Sequence, residues 1–143
     1  MVFGILFPNI YEGMIPMKLN PECVRDILME CEEKCTLTKG VMFPWGQTFT
    51  RDGRRYSSEE TSYHLRQCEL NGYFFRASKD LDRNFYVSDL SPKAHEFLAN
   101  IRSNDNWEKT KKIASGIGSV SLSTLSSVAS NVISAAVKAY FGV

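Results

Sequence analysis

The chain has 143 residues, 43% of them apolar and 23% charged, and a formal net charge of +1. This is the composition of one ordinary soluble core. The near-zero charge excludes a chain that holds nucleic acid through a general basic excess, so any affinity for DNA has to come from a local patch. The four cysteines, Cys23, Cys31, Cys35 and Cys68, contain no Cys-x-x-Cys pair, which excludes a disulfide framework and a zinc ligand set and points to a reducing cytoplasm. Cys31 and Cys35 have the spacing of a metal half-site on a helix, but only His64 and His95 are at hand to complete it. Neither a metal nor a cofactor is expected.

Met1 to Ile10 is apolar, yet it lacks the basic start and the small-residue cleavage site of a secretory signal. Glu12-Gly13 requires purine-rich codons a short distance before Met17, where a bacterial ribosome-binding site would lie for a start at Met17. Residues 1–16 are therefore read as an upstream extension, with a short strand or a partner-binding tail as the alternative.

From Met17 the pattern is helical. Asn20 suits an N-cap, Pro21 the first helical position and Glu22 the positive end of the dipole, while Val24, Ile27, Leu28 and Cys31 form an apolar stripe. Between Thr36 and Tyr56 the helical period vanishes. Thr36-Leu37-Thr38, Val41-Met42-Phe43 and Gln47-Thr48-Phe49-Thr50 read as short extended pieces broken by Gly40, Pro44 and Gly46. The pair Phe43 and Trp45 is a candidate protein contact, or else a cover for one edge of the core.

Residues 56–101 then read as helix, turn, two-stranded ribbon and helix, the order of a winged helix-turn-helix. Ser57-Ser58-Glu59-Glu60 starts a helix whose Thr61, Leu65 and Cys68, at i, i+4 and i+7, face the core, leaving His64 and Gln67 outside. Asn71-Gly72 stops it. Tyr73 to Arg76 and Asn84 to Ser88 are aromatic and β-branched strands, joined by Ala77 to Arg83 as the wing loop. Ser91-Pro92 opens another helix with Ala94, Phe97, Leu98 and Ile101 inside.

Several of these segments carry a family resemblance. Met17-Lys18-Leu19-Asn20-Pro21-Glu22-Cys23-Val24-Arg25-Asp26-Ile27-Leu28, Tyr63-His64-Leu65, Asn71-Gly72-Tyr73, the stretch Leu90-Ser91-Pro92-Lys93 through Arg102, and Trp107-Glu108-Lys109-Thr110-Lys111-Lys112 resemble the family called domain of unknown function 2513. The resemblance covers nearly everything from Met17 to the end, and Gly40 to Arg54 fits it least. It implies a winged-helix-like fold in small proteins of Gram-positive bacteria and their phages. It implies no activity.

If the helix starting at Ser58 lies in a major groove, its outer face presents Ser62, His64, Arg66 and Gln67. Arg51, Arg54 and Arg55 stand just before it, and Lys79 and Arg83 lie on the wing. The competing account is a solubilising surface, since Asp52, Glu59, Glu60 and Glu69 nearly cancel these charges. His64 and His95 have no nucleophile or acid nearby and read as hydrogen-bonded structural residues.

Ile113 to Val137 contains no charged residue and eight serines. Seven of these serines share an arc of roughly 120° on a helical wheel, opposite an apolar stripe. One continuous helix from Ile113 to Tyr140 is expected despite Gly116 and Gly118, because burial of the stripe outweighs two interior glycines. Leu122, Leu125, Val128, Val132 and Ala136 are the candidate oligomer or membrane face, and packing across the winged domain is the third possibility.

No catalytic constellation emerges. The sequence thus describes an α+β protein: an extension (1–16), a winged helix-turn-helix-like domain (17–103) and a Ser-rich amphipathic helical tail (104–143). It reads as a non-enzymatic binding module of phage or prophage type that regulates transcription through DNA or engages a host protein, with the tail for homo-oligomeric assembly. The alternative is a protein peripheral to the membrane that uses the tail helix.

Overall fold

Asn20 is extended ahead of Pro21, and its side-chain oxygen accepts the Glu22 backbone N–H at 3.1 Å, which starts α1 (Pro21–Lys34). The computed structural model describes residues 18–142. The extension over 1–16 and the start at Met17 lie outside the described residues. Helix α1 turns Val24, Ile27, Leu28 and Cys31 inward, as their spacing predicts.

The chain then enters β1 (Val41–Phe43) through Gly40. Where a helix-turn-helix has its second helix, this chain has a tight hairpin, β2 (Phe49–Arg51) and β3 (Arg54–Tyr56). Its turn is Asp52-Gly53, both left-handed at φ 50° and 80°, the Asp-Gly geometry that matches strand twist in a two-residue loop. Phe43 is buried against this hairpin, its ring edge-on to Phe49 at 5.5 Å. It is a core residue, which corrects its assignment as an exposed contact.

Ser57 accepts the Glu60 N–H at 3.1 Å and caps α2 (Ser58–Leu70). Thr61, Leu65 and Cys68 are buried as expected, but His64 is buried with them. The strands β4 (Phe74–Lys79) and β5 (Phe85–Leu90) form an antiparallel wing, and β5 also pairs with β1, giving the order β1-β5-β4. The wing loop is shorter than expected because Ala77 to Lys79 are ladder-paired with β5. Asp80 closes it by accepting the Asn84 N–H at 3.0 Å and the Tyr86 hydroxyl at 3.0 Å. Ser91-Pro92 then starts α3 (Pro92–Ile101), with Ala94, Phe97, Leu98 and Ile101 inside.

The C-terminal region is two helices, α4 (Asn104–Ile117) and α5 (Leu122–Phe141), not one. Gly118 takes φ 111°, and its N–H donates to the Ala114 and Ser115 carbonyls; Ser121 then caps α5 by accepting the Thr124 N–H at 3.1 Å. This break lets α5 fold back over α3 and α4. A straight helix would have carried its apolar stripe into solvent. Leu122, Leu125 and Ala129 belong to the same core as Ile27, Phe97 and Trp107, and Val128 and Val132 are buried as well. The expected oligomer or membrane face of Leu122, Leu125, Val128 and Val132 is thus an internal packing surface, worth about 1.5–3 kcal/mol per side chain. Ala136, further along, is exposed.

Trp107 clamps α4 to α1. Its indole N–H donates to the Glu22 carboxylate at 2.9 Å, and Arg25 and Lys111 each place a cation 5.4 Å from its ring centroid. Arg102 adds a fork onto Glu32 at 2.8 and 2.7 Å.

Candidate functional site

Two of the arginines singled out in the sequence hold the hairpin to α1. Arg54 reaches Asp26 with Nε at 2.7 Å and a terminal nitrogen at 2.8 Å, while the Tyr56 hydroxyl donates to the same carboxylate at 2.6 Å. The Asp26 side chain is 1% exposed. Burial, then the bond to Asp26, push the Tyr56 hydroxyl up. Arg51 forks onto Glu33 and also reaches Glu30 at 2.9 Å, contacts that raise its own affinity for the proton. Both guanidiniums are consumed in place of the missing second helix, so they are removed from the phosphate-facing set. Arg55 follows Arg54 on β3, is exposed and meets no carboxylate among the described residues.

His64 is also corrected. Its Nε2 accepts the Asn20 backbone N–H at 2.8 Å, and its Nδ1 lies 2.8 Å from the Glu60 carbonyl, which only accepts, so Nδ1 carries the proton. Burial lowers its affinity for a second proton, against the opposing effects of the Glu60 carbonyl and carboxylate. The ring is a brace between α1 and α2. Ser62 and Gln67 are half-buried, and Arg66 is exposed.

Beside the outer face of α2 lies a cleft of about 570 Å³. Ser62, Tyr63 and Arg66 line its helix side; Lys79, Arg83 and Phe85 line its wing side, and Trp45 closes one end. Lys79 ends β4 directly opposite Phe85. Arg83 sits in the left-handed region at φ 67° within the wing turn, its guanidinium 5.3 Å from the Trp45 ring centroid. The Trp45 loop is fastened on both sides, since its N–H donates to the Asn84 side chain at 3.0 Å and the Gly46 N–H donates to the Ser58 hydroxyl at 2.7 Å.

The charge of the cleft is uneven. Arg66, Lys79 and Arg83 have no carboxylate partner among the described residues, and Glu59 is the single acid on the lining. Trp45 is 36% exposed, enough to offer a ring face to a ligand. Tyr63 was missed in the sequence, although its place opposite Thr61 and Leu65 on the wheel puts it outward. The same wheel places His64 beside Thr61 and Cys68, inward.

Other chemistry is muted. The thiols of Cys23, Cys31 and Cys68 are pushed well up, by burial first. No group of three or more His, Cys, Asp or Glu side chains stands in metal-binding reach among the described residues.

Fold and site together define an α+β protein with small antiparallel sheets, a hairpin between its first two helices, and an aromatic, basic cleft between α2 and the β4–β5 ribbon. The chain matches the family model described as "Hypothetical protein (DUF2513)" over residues 18–121 and belongs to that family. The match stops at Ser121, the cap of α5, short of the nearly complete coverage to the end of the chain expected from the sequence. No curated protein matches the chain, and no solved structure does.

Proposed function

We propose that the protein is a non-enzymatic nucleic-acid-binding module of phage or prophage type, which regulates transcription by setting α2 and the wing against duplex DNA. The observation that carries this reading is the cleft, where Arg66, Lys79 and Arg83 converge without carboxylate partners among the described residues. Helix and wing are the two elements by which such domains straddle a groove, and three unpaired cations across them suit the phosphates of one strand. Both ring nitrogens of His64 are occupied and burial keeps three of the four thiols protonated, which favours a binding role over a catalytic one.

A host protein as partner is the second reading, favoured by the tip of the wing. Leu81 is fully exposed there between Asp80 and Asp82, and two acids beside an apolar side chain suit a protein surface better than phosphates.

The test is a fluorescence-anisotropy titration of a mixed-sequence duplex with the protein and with Arg66→Glu/Lys79→Glu/Arg83→Glu. The reading expects binding that the triple variant weakens by about tenfold or more. Equal affinity of the two proteins, or no binding by either at low salt, would remove it.

A further inference from the structure

We propose that the outer side of α4 and the projecting end of α5 form a docking surface for an anionic lipid bilayer, on which the protein lies without crossing it. This surface is remote in sequence from the cleft and meets the buried stripe of α5 only at Val132.

The last turns of α5 run past the body of the protein. Every position from Ser134 to Gly142 is exposed, among them Val137, Tyr140 and Phe141, the last two at 84% and 70%. On α4, Ile113 and Ile117 are exposed too. Between the two helices runs an apolar groove of about 390 Å³, floored by Val132, Ala135, Ala136 and Ala139 and edged by Lys109 and Lys112. The groove and the exposed apolar side chains at the end of α5 are surface that water does not solvate well.

Charge decides what covers it. After Glu108 the sequence has no acidic residue, while it has Lys109, Lys111, Lys112 and Lys138. Lys111 is turned to Glu22 and Glu108, and Lys109 meets Asp105 at 3.2 Å on the exposed helix. Lys112 and Lys138 have no carboxylate partner among the described residues. A second copy docking on this face would bring lysines against lysines, which like-charge repulsion opposes. An anionic surface meets the same lysines with opposite charge, while Tyr140 and Phe141 enter the headgroup boundary. Among the described residues no helix is long and apolar enough to cross a membrane, so the contact is interfacial.

The experiment is cosedimentation of the full chain with vesicles of phosphatidylcholine alone and of phosphatidylcholine mixed with phosphatidylglycerol. The protein is expected to sediment with the mixed vesicles and to stay in solution with the neutral ones. Lys112→Glu/Lys138→Glu and, independently, Tyr140→Ser/Phe141→Ser change only exposed side chains and are expected to keep the helical circular dichroism while lowering partition about tenfold or more. Absence of sedimentation with mixed vesicles, or equal partition onto both kinds, would overturn the proposal. So would a dimer in light scattering that Tyr140→Ser/Phe141→Ser dissociates, since the patch would then belong to a second copy.

Discussion

His64 accepts the backbone N–H of Asn20 at 2.8 Å, so the residue that caps α1 is itself held by a ring buried in α2. Asn20 returns the contact through its side-chain nitrogen, which donates to Glu60 at 3.1 Å. The neutral ring, with its proton on Nδ1, satisfies both neighbours. A second proton on Nε2 would face an N–H donor.

The first prediction is a pH dependence with a definite sign. Burial lowers the folded-state pKa of His64, so the unfolded chain takes up a proton first as pH falls. The contribution of the neutral ring is complete above about pH 6.5, the value of a free histidine, and is lost as pH drops from there through the folded value. Urea midpoints measured across this window should fall for the wild type and fall less steeply for His64→Gln. Parallel curves would remove His64 as the cause.

The second prediction separates structural from ligand-facing arginines. Arg54→Ala leaves the buried Asp26 carboxylate with Tyr56 as its remaining side-chain donor among the described residues and should cost about 2–4 kcal/mol, the lower part reflecting the partial exposure of Arg54. Arg55→Ala, one residue along the strand, should change stability by no more than about 0.5 kcal/mol. Equal midpoints for the two variants in chemical denaturation would contradict the assignment.

The third prediction concerns Gly40. A methyl group there would stand 2.4 Å from the Val87 carbonyl oxygen and 3.1 Å from the Ser88 Cα. Both neighbours are backbone of β5, the strand that pairs with both β1 and β4, and cannot turn aside. Gly40→Ala should therefore destabilise the protein by about 1–3 kcal/mol, read as a lowered melting temperature, whereas Gly116→Ala meets open space and should be neutral or stabilising.

Local signals made most of the fold legible. Asn20-Pro21, Ser57, Asn71-Gly72 and Ser91-Pro92 mark helix ends where the structure has them, because caps depend on neighbours a few residues away. The pairings that decide the site are tertiary. Asp26 meets Arg54, and Glu33 meets Arg51, from the far side of β1, so charges that seemed free for phosphate were already taken. His64 was misplaced for want of one step on the wheel, since i+3 from Thr61 and i−4 from Cys68 is an inward position. The break at Gly118 was a matter of weighing: two glycines alone cost little in a helix, but Ser121 with Thr124 three residues on is a start signal that favours two helices.

The fourth prediction follows from that break. Since Leu125 is fully buried within the chain's own core, Leu125→Ala should cost about 2–5 kcal/mol, and removal of 119–143 should yield a protein that aggregates and binds a hydrophobic dye. Tyr140→Ser, at an exposed position, should leave the melting temperature unchanged. A truncated chain that stays monomeric with a sharp thermal transition would show that α5 is dispensable to the core.

The central claim is that the cleft between α2 and the wing meets phosphates, and the most direct measurement is the salt dependence of duplex binding. With Arg66, Lys79 and Arg83 as contacts, a plot of log affinity against log salt should have a slope of about −2.5 to −3, falling by about 0.9 in magnitude for each of the three neutralised. Neutralising Lys34 or Lys109, which do not line the cleft, should leave the slope in place. A slope near zero, or one that the cleft variants do not change, would contradict the account.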